Sequence, residues 1–102
     1  MSEFKKFDTG KTKMGLLPPK ALKGIAEIFT IGAEKYSAYN YMHGTQWSRY
    51  YDALQRHLSA WHSGEELDQE TGKSHLYHAG CCVMILSEIQ RANVGEDDRP
   101  KF

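Results

Sequence analysis

The chain has 102 residues, with thirteen basic and thirteen acidic side chains and a formal net charge of zero. That length allows one domain, and the balanced charge argues against a general nucleic-acid binder. No stretch approaches the roughly 18 apolar residues of a membrane-spanning helix, and the N-terminus lacks the apolar core of a signal peptide.

Charge is nonetheless unevenly spread. Residues 1–24 carry Lys5, Lys6, Lys11, Lys13, Lys20 and Lys23 against Glu3 and Asp8, whereas eight acids follow residue 63 against Lys73, Arg91, Arg99 and Lys101. A basic arm and an acidic half suit a phosphate-bearing ligand that brings a metal, or two solvated faces that attract each other. Cys81 and Cys82 are adjacent. On a helix, neighbours point about 100° apart and do not bridge readily, so both read as small core residues with reduced thiols, and the protein as cytoplasmic.

Residues 1–17 lack periodicity and read as a basic arm. Gly10-Lys11-Thr12 resembles the end of a phosphate-binding loop, but Lys5 stands where that motif needs a glycine and no strand precedes it, which excludes a Walker A loop. Lys11 and Lys13 keep the capacity to meet phosphate as point charges. Pro18 and Pro19 open a helix, with Leu22, Ile25, Ala26 and Phe29 on one face. Gly32 interrupts it, residues 33–36 leave room for a further turn, and residues 37–46 form a loop. At its start and within it, Tyr36, Tyr39 and Tyr41 either stack on a base or wall the loop.

Thr45 is the candidate N-cap of a second helix, with Trp47, Tyr50, Leu54, His57 and Trp61 as its buried stripe and Leu58 widening it. Ser63-Gly64 ends that helix. Gly72 breaks an acidic segment, and Ser74 caps a last helix from about His75 to Asn93. Leu76, Ala79, Val83, Leu86 and Gln90 line one stripe of it; His75, His78, Cys82, Ile85 and Ile89 line another. Two apolar stripes on one helix of so short a chain predict a neighbouring subunit over one of them. The tail after residue 93 is polar and reads as frayed. Nothing alternates with period two. The expected fold is all-α, a small bundle over residues 18–93 completed by oligomerisation, flanked by the arm at 1–17 and a tail at 94–102.

Chemistry concentrates between Arg49 and Gly80, which hold His57, His62, His75 and His78 beside Glu65, Glu66, Asp68 and Glu70. His75 and His78 are spaced i, i+3 and share a helix face. Imidazole and carboxylate are ligands that divalent cations select, and Glu65 and Asp68 have ExxD spacing. The plain alternative is a core histidine at His57 and a solvated acidic loop after a glycine.

The blocks KFDTGKTKMGLLPPKAL, FTIGAEKYSAYN and RYYDALQRHLSAWHSGEELDQETGKSHLYHAGCCVMIL occur in that order. They resemble the small phage domain family described as dATP/dGTP diphosphohydrolase, N-terminal, placed near the all-α MazG-like nucleotide pyrophosphohydrolases. The resemblance covers roughly residues 4–90. It implies a helical, oligomeric domain, a homodimer or homotetramer. Such a domain cleaves purine deoxynucleoside triphosphates to monophosphate and pyrophosphate, with Mg²⁺ or Mn²⁺, in the host cytoplasm if phage-encoded. It implies Glu65, Asp68 and His78 as catalytic and Glu65, Asp68, Glu70 and His75 as metal-binding. Lys6, Asp8, Lys11, Lys35, Tyr36, Asn40, Arg56 and His57 would meet substrate, with no nucleic-acid polymer or membrane as partner. MazG-like enzymes pair an ExxE helix with an ExxD helix, and no ExxE precedes Glu65 here. That departure keeps a second reading open: a non-catalytic nucleotide- or partner-binding helical module.

Overall fold

The computed structural model describes residues 3–102. It contains three α-helices, α1 (Pro19–Lys35), α2 (Ser48–His62) and α3 (His75–Ala92), with short 3-10 turns at Met14–Leu16 and Asn40–His43. Among the described residues, extended pairing is confined to two isolated bridges, Gln46 with Glu96 and Leu67 with Ser74. The domain is all-α.

Pro18 is extended and Pro19 occupies the first helical position of α1, where a missing N–H is harmless. The expected break at Gly32 does not occur: α1 continues to Lys35, and the Tyr36 N–H closes on the Gly32 carbonyl at 2.9 Å. A helical glycine costs only about 1 kcal/mol, which burial of Ile28 with Phe29 packed beside it outweighs.

The core forms where α3 meets the other two helices. Ile28, Trp47, Cys81, Ile85 and Ile89 are buried together. The helices α1 and α3 approach through small residues. A Cβ on Gly24 would lie 2.4 Å from the Tyr77 ring, and one on Gly80 would lie 2.6 Å from Ile25 Cδ1. Both cysteines are free and buried, as read from the sequence, and burial pushes the Cys81 thiol up to about 12. One stripe of α3 is covered (Cys82, Ile85, Ile89), while Leu76 and Val83 on the other stripe are exposed.

Helix α2 runs antiparallel to α3, with Trp47 beside the C-terminal end of α3 and His57 beside its N-terminal end. Two expectations fail here. Trp61 is 45% exposed and Leu58 36%, against 8% for Trp47. His57 already faces the first residue of α3, so the last turn of α2 overhangs the partner helix and meets the polar loop instead. Thr45 does not cap α2 either, because the helix begins at Ser48. Asp98 performs that role from the tail, accepting the Ser48 N–H on Oδ1 at 2.9 Å and the Ser48 hydroxyl on Oδ2. An anion at a helix N-terminus is favourable, and the Ser48 bonds hold the Asp98 carboxyl below its ordinary value.

The start of the tail is therefore pinned rather than frayed. Trp47 Nε1–H donates to the Val94 carbonyl at 2.8 Å, Trp47 N–H to Glu96 O at 3.0 Å, and Glu96 N–H to Thr45 O at 3.1 Å. Arg99 stacks over the Trp47 ring at 5.4 Å. At the other end, residues 3–18 precede α1 and are exposed throughout. The radius of gyration is accordingly 17.4 Å, against about 13 Å for a compact chain of this length.

The small-residue contact gives a paired prediction. Gly24→Ala should destabilise the fold by roughly 1–3 kcal/mol, because backbone or the Tyr77 ring must shift. Gly32→Ala, whose added Cβ meets nothing within 4 Å, should stabilise by roughly 0.5–1 kcal/mol. Urea titration of both variants checks this. Equal effects would show that the α1–α3 approach is looser than described.

Candidate functional site

After His62 the chain reverses at Gly64, whose φ of 101° lets the Glu65 N–H reach back to Ala60 O at 3.0 Å. The loop then closes on itself. Asp68 N–H donates to Lys73 O at 2.8 Å and His75 N–H to Glu66 O at 3.0 Å. Inside the loop, Asp68 Oδ2 accepts the Glu70 N–H at 3.1 Å, the Thr71 N–H at 2.9 Å and the Thr71 hydroxyl at 3.2 Å. This is an Asx-type turn, a short carboxylate organising the backbone two and three residues on. Ser74 then caps α3 as read from the sequence, accepting the Leu76 N–H at 3.1 Å.

The loop is laid over the first turn of α3, opposite His57 of α2. His57 Nδ1 lies 2.9 Å from His75 Nδ1, and His75 Nε2 lies 3.0 Å from Glu65 Oε2. The His57 and His78 rings stack at 4.4 Å with 9° between planes. His78 Nε2 lies 2.8 Å from Thr71 Oγ1 and 3.8 Å from Asp68 Oδ2. If the Thr71 hydroxyl donates to Asp68, His78 Nε2–H must donate to Thr71, because a hydroxyl has one proton. His75 is 4% exposed.

Burial holds the His57 imidazole below its ordinary value, and the neighbouring His78 acts in the same direction. Burial also lowers His78, against the upward pull of Asp68. Burial pushes Asp68 up, but the Thr71 N–H and hydroxyl outweigh it and hold the carboxyl low. At neutral pH His57 and His78 are thus uncharged beside an ionised Asp68, the protonation state in which imidazole and carboxylate bind cations. His57, Asp68 and His75 place one ligand atom each within 4.8 Å of one another.

Of the residues singled out in the sequence, the structure gathers Glu65, Asp68, His75, His78 and His57. Glu70 lies apart, paired with Lys35 at 3.0 Å across exposed surface. Lys35 also lies over the Tyr36 ring at 5.4 Å. Tyr36 and Asn40 line a cavity of about 560 Å³ together with Phe29, Tyr39, Tyr41 and Tyr50. Its far wall is Cys81 and Ile85 of α3, the same helix that carries His75 and His78. Arg56 is exposed next to His57, and Lys6, Asp8 and Lys11 lie on the exposed arm. Among the described residues, no hydrogen bond or ion pair joins those arm residues to the cluster. Sequence reasoning missed Thr71, which links His78 to Asp68. The available signal was Asp followed three residues later by Thr, the pattern of an Asx turn. It also missed Lys73, whose ammonium pairs with Glu27 of α1 at 2.8 Å.

Fold and site together define a small all-α domain with a histidine–carboxylate centre where two helices and an acidic loop meet. The chain belongs to the dATP/dGTP diphosphohydrolase, N-terminal, family, whose model matches residues 2–99. It is similar to a dATP/dGTP diphosphohydrolase of Salmonella phage PMBT28, 32% identical over 94 residues, which is 92% of this chain and 32% of that relative. The chain thus spans about a third of the relative's length. No solved structure matches it, and among the described residues no helix is long and apolar enough to cross a membrane.

The lowered imidazoles predict a pH response in the metal-free protein. A base with a depressed folded pKa contributes stability that is fully present above its unfolded value, 6.5 for histidine, and is lost as pH falls through the folded value. Melting temperature, measured with chelator present, should be level above about pH 7 and fall below about pH 6.5. In His78→Gln the fall should be shallower. A native curve that is flat down to about pH 5 would contradict the burial described.

Proposed function

We propose that this domain carries out the metal-dependent hydrolysis of purine deoxynucleoside triphosphates, dGTP and dATP, to the monophosphate and pyrophosphate. The reading places the domain in nucleotide-pool adjustment in the host cytoplasm of an infecting phage, alongside MazG-like enzymes. The relative's name supports hydrolysis of such nucleotides. The observation that carries the reading is the adjacency of an aromatic cavity and a histidine–carboxylate cluster on one helix. His78 and Ile85, one at the cluster and one in the cavity wall, stand about 10 Å apart along α3. That spacing suits a purine in the cavity with its phosphates at the cluster.

Each residue has a definable task. Tyr36 and the neighbouring tyrosines present ring faces for a purine, and the Asn40 amide offers both a donor and an acceptor to its edge. Lys35 meets phosphate once it exchanges Glu70 for the ligand, a small loss because that ion pair is exposed. Asp68 and His78 are joined through Thr71, so His78 is held with Nδ1 free to accept a proton from water while Asp68 balances the charge. A Mg²⁺ or Mn²⁺ ion at the cluster would supply charge neutralisation and a more acidic water. Exposed Leu76, Val83 and Met84 on the open face of α3 support assembly as a homodimer or homotetramer.

The test is incubation of dGTP and dATP with the chain plus Mn²⁺ or Mg²⁺, followed by anion-exchange chromatography. Monophosphate and pyrophosphate should appear in equal amounts, and His78→Gln should reduce the rate by roughly 10²-fold or more. Intact triphosphate across all metals would overturn the reading. One observation favours a second reading, a nucleotide-binding module without turnover: Glu70 pairs with Lys35 instead of joining the cluster. Nucleotide binding unaffected by chelator, with no product, would select that module.

A further inference from the structure

We propose that His57, His75 and Asp68 form a mononuclear site for a first-row transition-metal dication, with Glu65 positioning His75, and that Mg²⁺ is not the ion this site prefers. The inference deepens the hydrolase reading by naming the ligands and the class of ion, but the site can exist without turnover.

The geometry supplies four supports. The separation of 2.9 Å between His57 Nδ1 and His75 Nδ1 is that of two nitrogens bound cis to one ion, since bonds of about 2.1 Å at a right angle span about 3 Å. Glu65 Oε2 lies 3.0 Å from His75 Nε2. A carboxylate there keeps the proton on Nε2, so the Nδ1 lone pair faces His57. That carboxylate–imidazole arrangement is the usual support of a metal-bound histidine. The Asp68 bonds to Glu70 and Thr71 all fall on Oδ2, which fixes the carboxylate while its other oxygen stays available. Finally, the three ligand atoms fall within 4.8 Å of one another, with His75 buried.

The donor set decides the class of ion. Mg²⁺ takes oxygen ligands in a near-octahedral shell and keeps several waters. Two imidazoles with one carboxylate suit Mn²⁺, Fe²⁺, Co²⁺ or Zn²⁺. The sequence-based ligand set changes accordingly: His57 enters it, Glu65 moves behind His75, and Glu70 leaves it. The plain alternative is a hydrogen bond between two imidazoles that holds no ion.

Calorimetric titration of the chelator-stripped 102-residue chain with CoCl₂, MnCl₂ and MgCl₂ tests this, with the visible spectrum of the Co²⁺ form as a second readout. One Co²⁺ should bind per chain and give the absorption of a nitrogen-ligated ion, while Mg²⁺ at the same concentrations gives no saturable heat. Glu65→Gln should weaken Co²⁺ binding roughly 10- to 100-fold, His57→Gln should weaken it further, and Glu70→Gln should leave it unchanged. The Co²⁺ spectrum of the native chain does not depend on any variant folding. Absence of that spectrum, equal binding of Mg²⁺, or full-strength binding by folded His57→Gln would overturn the proposal. Co²⁺ binding without triphosphate hydrolysis would uphold the site and defeat the hydrolase reading. Hydrolysis with Mg²⁺ in a chain that binds no Co²⁺ would do the reverse.

Discussion

His75 begins α3, yet it is buried, and a buried imidazole needs partners for both ring nitrogens. One partner comes from α2, His57, and the other from the loop, Glu65. Those two contacts set where the three segments lie. The loop must fold back over the start of α3 to deliver Glu65, and the reversal at Gly64 makes that path short. His57 must face the first turn of α3, which fixes the register of the antiparallel pair and leaves the end of α2 overhanging. Stacking of His57 on His78 and the bond from His78 to Thr71 follow from that register. Among the described residues, no buried polar side-chain atom is left without a partner.

A polar cluster of this kind gains its rigidity from completeness. Each member is held by another element, so removing one leaves a neighbour unpaired inside low-dielectric surroundings. The ion pairs that tie the loop to α1, Lys35 with Glu70 and Lys73 with Glu27, are partly exposed and contribute little to stability. Their use is positional. They keep the acidic loop beside the rim of the aromatic cavity, where Lys35 and Tyr36 sit. The loop is thus anchored firmly at Asp68 and weakly at its edges.

The three helices were legible because their signals are local. Pro18-Pro19, the apolar spacing from Leu22 to Phe29, and Ser74 before His75 each act within a turn or two. Cys81 and Cys82 read correctly as core because their neighbours are apolar at helical spacing. What the sequence concealed was long-range. Asp98 caps α2 from fifty positions away, so Thr45, a capping-type side chain three positions upstream, looked like the better cap. Trp61 fits the apolar stripe of α2, but its exposure depends on where α3 starts relative to His57. Gly32 resembled a break because propensity says nothing of the packing that carries α1 past it. In the site, Asp68, Glu65, His75 and His78 were visible as residue types at suggestive spacing. The centrality of His57 and the role of Thr71 required the fold that joins them.

The stretch from His75 to Ile85 explains why one short helix can serve two environments. Its first turn receives polar partners from the loop and from His57, so imidazoles are tolerated there. Three residues beyond His78 the surroundings change: Cys81 and Ile85 are buried against Ile28 and Trp47, and Cys82 is buried as well. The close approach at Gly24 and Gly80 lies between the two environments and clamps α1 at that boundary. Because α3 is a continuous helix, the distance between the cluster and the cavity wall is set by backbone geometry rather than by loop conformation. Sites built on such elements are held more firmly than sites built on loops. The acidic loop adds carboxylates to a pair of histidines whose spacing the helix has already fixed.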